Sequence, residues 1–252
     1  MPLPPPLTAL TDLDAQLSGS GYAVLAAADL ARLAAQPPEA LAAWGAQWDD
    51  LPADHFLKDG GRYRRRRHGC FVVDAGPAGS VRAVPHRAHW QPVEYNALHG
   101  GIERWFEPLA PALLADPAWA ALLRALAARC AVLRGSAPGA EAWFVEAHPF
   151  RIDTTDGIGR PTPEGAHRDG VDLVVVVLVA RCGIKGGETR VFDACGPQGL
   201  RFTLAEPWSA LLLDDARVIH ESTPIQPLDA AAGGHRDTLV LTVRRGGFQG
   251  PA

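Results

Sequence analysis

At 252 residues the chain is long enough to bury a sizeable core, and a β-rich enzyme of this length is often one domain. A formal net charge of −4, from 24 Lys+Arg against 28 Asp+Glu, gives no general basic field to attract nucleic acid or an anionic membrane. Four cysteines without C-x-x-C spacing are too sparse for a disulfide-stapled secreted domain and fit free thiols in a reducing cytosol.

The N-terminus, MPLPPPLTALTDLDAQ, has prolines where a signal peptide has a charged region and an apolar segment, so no export is expected. SGYAVLAAADLARLAA reads as a short strand feeding a helix. GRYRRRRHGCFVVD reads as strand, and QPVEYNALHGGIERWF as loop followed by a helix start. Between Pro108 and Leu133, WAALLRALAARCAVL has the apolar spacing of a helix packed on something larger. From Ala142 the texture changes to short β-branched or aromatic runs: WFVEAHPFRI, VDLVVVVLVA, GETRVFD, LRFTL, SALLLDD, RVIHEST and RDTLVLTVR. Turn residues separate them as in an all-β sandwich or barrel. The expectation is a single domain over 1–252, mainly β with flanking helices. Its jelly-roll core (a double-stranded β-helix) spans 142–246, and 1–141 is mostly helical support with extra strands. Gly186-Gly187 reads as a tight turn between strands. The longest β-branched and leucine run, Leu173 to Ala180, is far below the ~20 residues of a spanning helix, so a soluble, cytoplasmic protein is expected.

GAHRDGVDLVVVVLVA places charged groups immediately before that run, and a buried carboxylate needs a partner or a metal to offset its lost hydration. In a strand, residues two apart share a face, so His167 and Asp169 aim at one point while Arg168 faces away. His-x-Asp is a weak motif, and His235-Arg236-Asp237 repeats it. Position separates the two. His220, at the end of RVIH, follows the first pair after several strands, whereas no histidine follows His235. Two histidines and one carboxylate leave three positions open on an iron, the arrangement of non-haem Fe(II) oxygenases. Arg236 and Thr238 share a face of the next strand. An arginine fork plus a hydroxyl is a carboxylate receptor, suited to the far end of a 2-oxo diacid whose near end chelates the iron. Arg244 is the reserve arginine. HRDG also resembles the protein-kinase catalytic loop, but position 174 is Val where Asn is required and no glycine-rich loop precedes it, so phosphoryl transfer is set aside.

Two further groups bear on a substrate. Arg62–Arg67 reads as an anion-binding patch or, as charge runs usually are, a solvated or paired face; a further option is that alternate arginines point inward and one meets the carboxylate of a small substrate. Glu146 and His148 share a strand face and are candidates to hold a substrate ammonium or hydroxyl, against the plainer reading of strand-edge polar residues.

PTPEGAHRDGVDLVVVVLVARCGIKGGETRVFD, LLLDDARVIHESTPI and GGHRDTLVLTVR resemble the Fe(II)/2-oxoglutarate dioxygenase family that includes bacterial isoleucine 4-hydroxylases and a biofilm- and stress-linked branch. RYRRRR, NALHGGIERWFEPL and EAHPFRI extend the likeness over roughly positions 55 to 245. The resemblance implies that His167, Asp169 and His220 hold iron, that Arg236 with Thr238 anchors 2-oxoglutarate, and that O2 is the oxidant. Cys182 departs from the pattern, standing where relatives carry a polar Asn. The implied activity is hydroxylation of a small molecule, a free aliphatic L-amino acid, with neither nucleic acid nor membrane as partner; oligomeric state is not legible. One alternative is a non-catalytic jelly roll that binds metal and 2-oxoglutarate in stress or biofilm signalling. Another, hydroxylation of a peptide or macromolecular side chain, needs an open groove.

Overall fold

The computed structural model describes residues 3–76, 79–137 and 139–251. In chain order the helices are α1 (Leu13–Ser20), α2 (Ala27–Leu33), α3 (Pro38–Ala42), α4 (Pro111–Ala115) and α5 (Pro117–Leu133). The strands are β1 (Tyr22–Leu25), β2 (Arg64–Arg66), β3 (Gly69–Asp74), β4 (Val81–Ala83), β5 (Ala142–Asp153), β6 (Leu173–Cys182), β7 (Ile184–Gly186), β8 (Thr189–Asp193), β9 (Gly199–Phe202), β10 (Ala210–Leu213), β11 (Val218–Ser222), β12 (Ile225–Pro227) and β13 (His235–Arg245).

A large antiparallel sheet runs β1-β10-β6-β13-β5-β3-β4, with β2 also paired to β5; β11-β8-β9 and β12-β7 form two small ones. This is a jelly roll with flanking helices. It recruits strands from well before residue 142: β1 extends one edge through β10, and β3 pairs with β5 from Gly69↔Ala147 to Asp74↔Ala142. The strand at GYAVL and the following helix form as the sequence predicts. GRYRRRRHGCFVVD divides into β2 and β3 around His68, and the helix start expected after QPVEYNALHGG is absent: residues 91–106 are turns and bridges. Three glycine, proline and asparagine positions there, Pro92, Asn96 and Gly100, close backbone turns instead.

The long apolar run of β6 has a structural reason: both of its faces are covered. Val175 and Val177 join the outer core with Leu239, Leu241 and Val243 of β13 and Trp119, Leu122 and Leu126 of α5. Val174 and Leu178 face inward onto Val191, Phe202 and Leu213. A strand covered on one side only would alternate with polar residues. α5 starts sharply because Pro117 occupies its first turn and the Asp116 carboxylate accepts the Ala118 N–H at 2.9 Å. Beyond its end, Arg134 donates to Asp172 and Asp214, each at 2.7 Å, tying the outer helix to the residue before β6.

The inner faces of β5 and β13 carry the polar chemistry. Their register sets Arg236 opposite Ile152, Thr238 opposite Phe150, Val240 opposite His148 and Thr242 opposite Glu146. All of these line one cavity between the large sheet and β11.

Candidate active site

His167 and His220 are bridged through their backbones, each N–H donating to the other's carbonyl at 3.0 and 2.9 Å. β11 thereby carries His220 against the segment preceding β6. The imidazole centroids lie 4.6 Å apart. Asp169 completes the cluster: Oδ1 is 3.9 Å from His167 Nε2 and Oδ2 is 3.8 Å from His220 Nε2. The three ligand atoms lie within 4.8 Å of one another. Residues 167 and 169 are not in a regular strand, as the period-2 argument supposed. They occupy an extended loop ahead of β6, and the loop is held by Asp215. That carboxylate accepts the backbone N–H groups of Asp169, Gly170 and Val171, at 2.7 Å from Gly170. Gly170 turns at φ +75°, and a Cβ there would lie 2.3 Å from the Tyr95 ring, so only glycine fits directly behind the carboxylate ligand.

Each member of the cluster is set up by a neighbour. Nδ1 of His167 donates to the Gly165 carbonyl at 2.9 Å, which leaves Nε2 bare for a metal. Asp169 Oδ1 accepts from Gln91 Nε2 at 3.0 Å, and Gln91 Oε1 in turn accepts from Arg104 at 2.8 Å and Asn96 at 3.2 Å. Burial raises the Asp169 pKa, partly offset by His167. Burial also pushes His220 down to about 3, with His167 adding to the shift. His167 runs the other way: burial opposes its charge, but Asp169 and Glu164 outweigh it and raise its pKa. A divalent cation resolves all three at once, since two neutral imidazoles and an ionised carboxylate are the forms that ligate. The donor set fits ferrous iron. Gln91→Leu is expected to weaken iron binding roughly 10- to 100-fold, the usual effect of losing an outer partner. Fe(II) titration of the variant is the check; unchanged affinity would remove Gln91 from that role.

Arg236 is 4% exposed and lines the same cavity. Its Nε and Nη2 have no hydrogen-bond partner among the described residues. Burial, followed by the nearby Arg181, lowers its pKa to about 10, so it stays charged. Arg244, the reserve candidate, donates to the Gly247 carbonyl. In the second His-x-Asp, Asp237 is engaged by Arg151 through two bonds of 2.8 Å, and Arg236 between the pair is the residue that reaches the cavity.

Arg64 and Arg66 point inward and Arg65 is exposed, as the alternating reading predicts. Arg64 pairs with Asp54 at 2.6 Å, while Arg66 lies between the rings of Phe106 and Phe150, 3.9 and 4.2 Å from their centroids. Glu146 and His148 are buried cavity residues rather than strand-edge ones. Glu146 Oε2 accepts from His89 Nδ1 at 2.6 Å and His68 Nε2 at 3.0 Å. Burial opposes the charge of Glu146, but His89 and His68 hold its pKa below the usual carboxylate range. The sequence reading missed His68, His89, Gln91, Arg104 and Asp215, which come from bridges and turns without periodicity. Cys182 is exposed at the end of β6, and all four cysteines are free. Gly186 and Gly187 adopt φ +81° and +65°, yet the strands they join pair elsewhere, β7 with β12 and β8 with β11.

The buried histidines make acid a destabilising condition. Burial lowers the pKa of His89 to about 3 and of His99 to about 4. Each stays neutral where the unfolded imidazole, with a pKa of about 6.5, takes up a proton. The unfolded state then binds more protons, so stability is full above pH ~6.5 and falls toward pH ~3. His167, with its raised pKa, acts in the opposite sense. The thermal midpoint is expected to drop between pH 7 and 4, with a shallower slope in His89→Gln; parallel slopes would contradict this.

A jelly roll with a 2-His-1-carboxylate cluster and a buried arginine without a partner among the described residues, all on one cavity, defines a non-haem iron oxygenase scaffold. The 2OG-Fe dioxygenase family profile matches residues 45–242, and the chain belongs to that family. Its cofactors are Fe(II), 2-oxoglutarate and O2. The crystal structure of a bsmA homologue from Methylobium petroleophilum PM1 is 56% identical, with 98% of this chain and 97% of that one covered and a TM-score of 0.91. IDO from Bacillus thuringiensis (14% identity, 95% and 97% covered, TM-score 0.73) and the Fe(II)/α-ketoglutarate-dependent dioxygenase TqaL (21%, 94% and 87%, 0.69) share the fold. No curated protein matches the chain. No helix among the described residues is long and apolar enough to cross a membrane.

Proposed function

We propose that the protein hydroxylates a small molecule, a free aliphatic L-amino acid such as isoleucine, leucine or methionine, using Fe(II), 2-oxoglutarate and O2. The observation that carries this reading is the buried Arg236 guanidinium, unpaired and facing the cavity that His167, Asp169 and His220 enter. A buried charge without a partner is costly, and a 2-oxo diacid supplies that partner through its distal carboxylate, with Thr238 beside it. His167 Nε2, His220 Nε2 and an Asp169 oxygen would hold the iron. When bound, iron and 2-oxoglutarate supply the oxidation of an unactivated C–H bond, coupled to decarboxylation of the oxo acid to succinate.

The chain's own residues orient the substrate. Glu146 is anionic beside neutral imidazoles, and its Oε1 makes no hydrogen bond among the described residues, which supports receipt of a substrate ammonium. His148 flanks it. Phe144 and Val240, on the paired strands β5 and β13, both line this cavity and give an aliphatic side chain an apolar surface. Purified protein given Fe(II), ascorbate, 2-oxoglutarate and a panel of amino acids is expected to form succinate above the substrate-free rate, with one oxygen added to the amino acid. No turnover with any of them would remove the substrate assignment; retained binding of metal and 2-oxoglutarate would then favour the non-catalytic binder.

A further inference from the structure

A second cluster of ligating side chains lies in the wall of the cavity. We propose that His68, His89 and Glu146, with Cys70 as an available fourth donor, form a second site for a first-row divalent metal ion of the zinc class. The three come from separate places: His68 precedes β3, His89 lies on a bridge with Arg104, and Glu146 is on β5.

Both imidazoles converge on one carboxylate oxygen, Glu146 Oε2, at 2.6 and 3.0 Å, instead of sharing the two oxygens. Together with a ring nitrogen of His148, the donor atoms lie within 4.8 Å of one another. Tetrahedral zinc with bonds of about 2.0–2.1 Å separates its donors by roughly 3.4 Å, so the two imidazole nitrogens, now 2.6 and 3.0 Å from Glu146 Oε2, would draw back from it by about 0.4–0.8 Å. His148 is not counted as a ligand. Arg66 Nη2 lies 2.6 Å from its Nδ1; a guanidinium only donates, so Nδ1 carries the lone pair and Nε2 the proton. His148 instead stacks on His68, with centroids 4.8 Å apart and planes 11° apart.

Cys70 is the cross-strand neighbour of Glu146, and its Sγ lies 3.3 Å from His68 Nε2. Imidazole, carboxylate and thiol together favour zinc or cobalt over magnesium or calcium. Burial keeps the thiol protonated in the free protein, whereas a bound metal deprotonates a coordinating thiol. His68 Nε2 and His89 Nδ1 donate to Glu146 in the metal-free protein, so metal binding would move each ring's proton to its other nitrogen; burial keeps both rings neutral, so no second proton has to be displaced. His89 and Glu146 also line the main cavity, which gives an ion a route in.

Glu146 would be shared with the substrate amine of the preceding proposal, through its other oxygen. The test needs neither substrate nor turnover, so the two readings fail separately. Metal-free protein is dialysed against Co(II) and then Zn(II), and bound metal is counted by elemental analysis. Wild type is expected to bind two equivalents per chain, and His220→Ala, which breaks the iron cluster, one. Adding His89→Gln to His220→Ala is expected to remove that last equivalent, since glutamine keeps an N–H donor for Glu146 but loses the imidazole lone pair. Should that variant not fold, as judged by its thermal transition, Glu146→Gln in the same background reads the same count. An empty His220→Ala protein overturns the proposal, and so does an equivalent that survives these substitutions.

Discussion

Asp169→Ala is expected to abolish iron-dependent succinate formation and to lower Fe(II) affinity by more than the roughly 100-fold that losing an outer partner costs. Asp169 is the one carboxylate placed between the two imidazoles, 3.9 Å from His167 Nε2 and 3.8 Å from His220 Nε2. Without it two neutral imidazoles remain, and the metal loses its anionic ligand. The fold has less to lose. Burial already disfavours the ionised form of this carboxylate, and the Asp215 bonds that shape the loop run to the backbone of residues 169–171, which alanine retains. The expected signature is therefore loss of metal with a nearly unchanged thermal midpoint in the metal-free protein. Iron bound at wild-type strength by Asp169→Ala would place the metal elsewhere.

Arg236→Met carries the second large effect, and its two consequences have opposite signs. Losing a buried, hydrogen-bonded charge partner typically costs about 2–5 kcal/mol or more, so 2-oxoglutarate affinity should fall by roughly one and a half to three and a half powers of ten at about 1.4 kcal/mol per decade. In the ligand-free protein the same guanidinium is buried with Nε and Nη2 unpartnered. Replacing it with the shorter, uncharged methionine removes that desolvation penalty, so the ligand-free variant is expected to melt at a higher temperature than wild type. Arg236→Lys retains the charge but not the fork and should recover only part of the affinity. Arg244→Met is the control, because that side chain is already engaged by the Gly247 carbonyl. Calorimetric titration of 2-oxoglutarate with Mn(II) in place of iron, alongside thermal melts with and without the oxo acid, separates these outcomes. A loss of affinity in Arg244→Met and not in Arg236→Met would reverse the assignment of the two arginines.

Much of the site was legible because its parts are local. Arg236-x-Thr238 and Glu146-x-His148 are period-2 pairs on single strands, and a period of two requires a common face wherever the strand lies. The same reasoning expects His167 and Asp169 to converge, and they do. Their convergence comes from the backbone bridge to His220 and the anchor at Asp215, not from strand pleating. Within Arg62–Arg67 only Arg64–Arg66 alternates, because Arg64 and Arg66 face the cavity and Arg65 does not, whereas Tyr63 beside Arg64 is buried as well.

By itself, then, the sequence determined the strand periods, the apolar run buried on both faces and the residue types able to ligate iron, all of which follow from short-range geometry and composition. Only the tertiary structure decided which distant groups surround them. Gln91 meets Asp169, and His68 and His89 meet Glu146, across bridges and turns with no repeating pattern. Contacts of that kind depend on where whole sheets come to rest against each other, and no spacing within one segment encodes it.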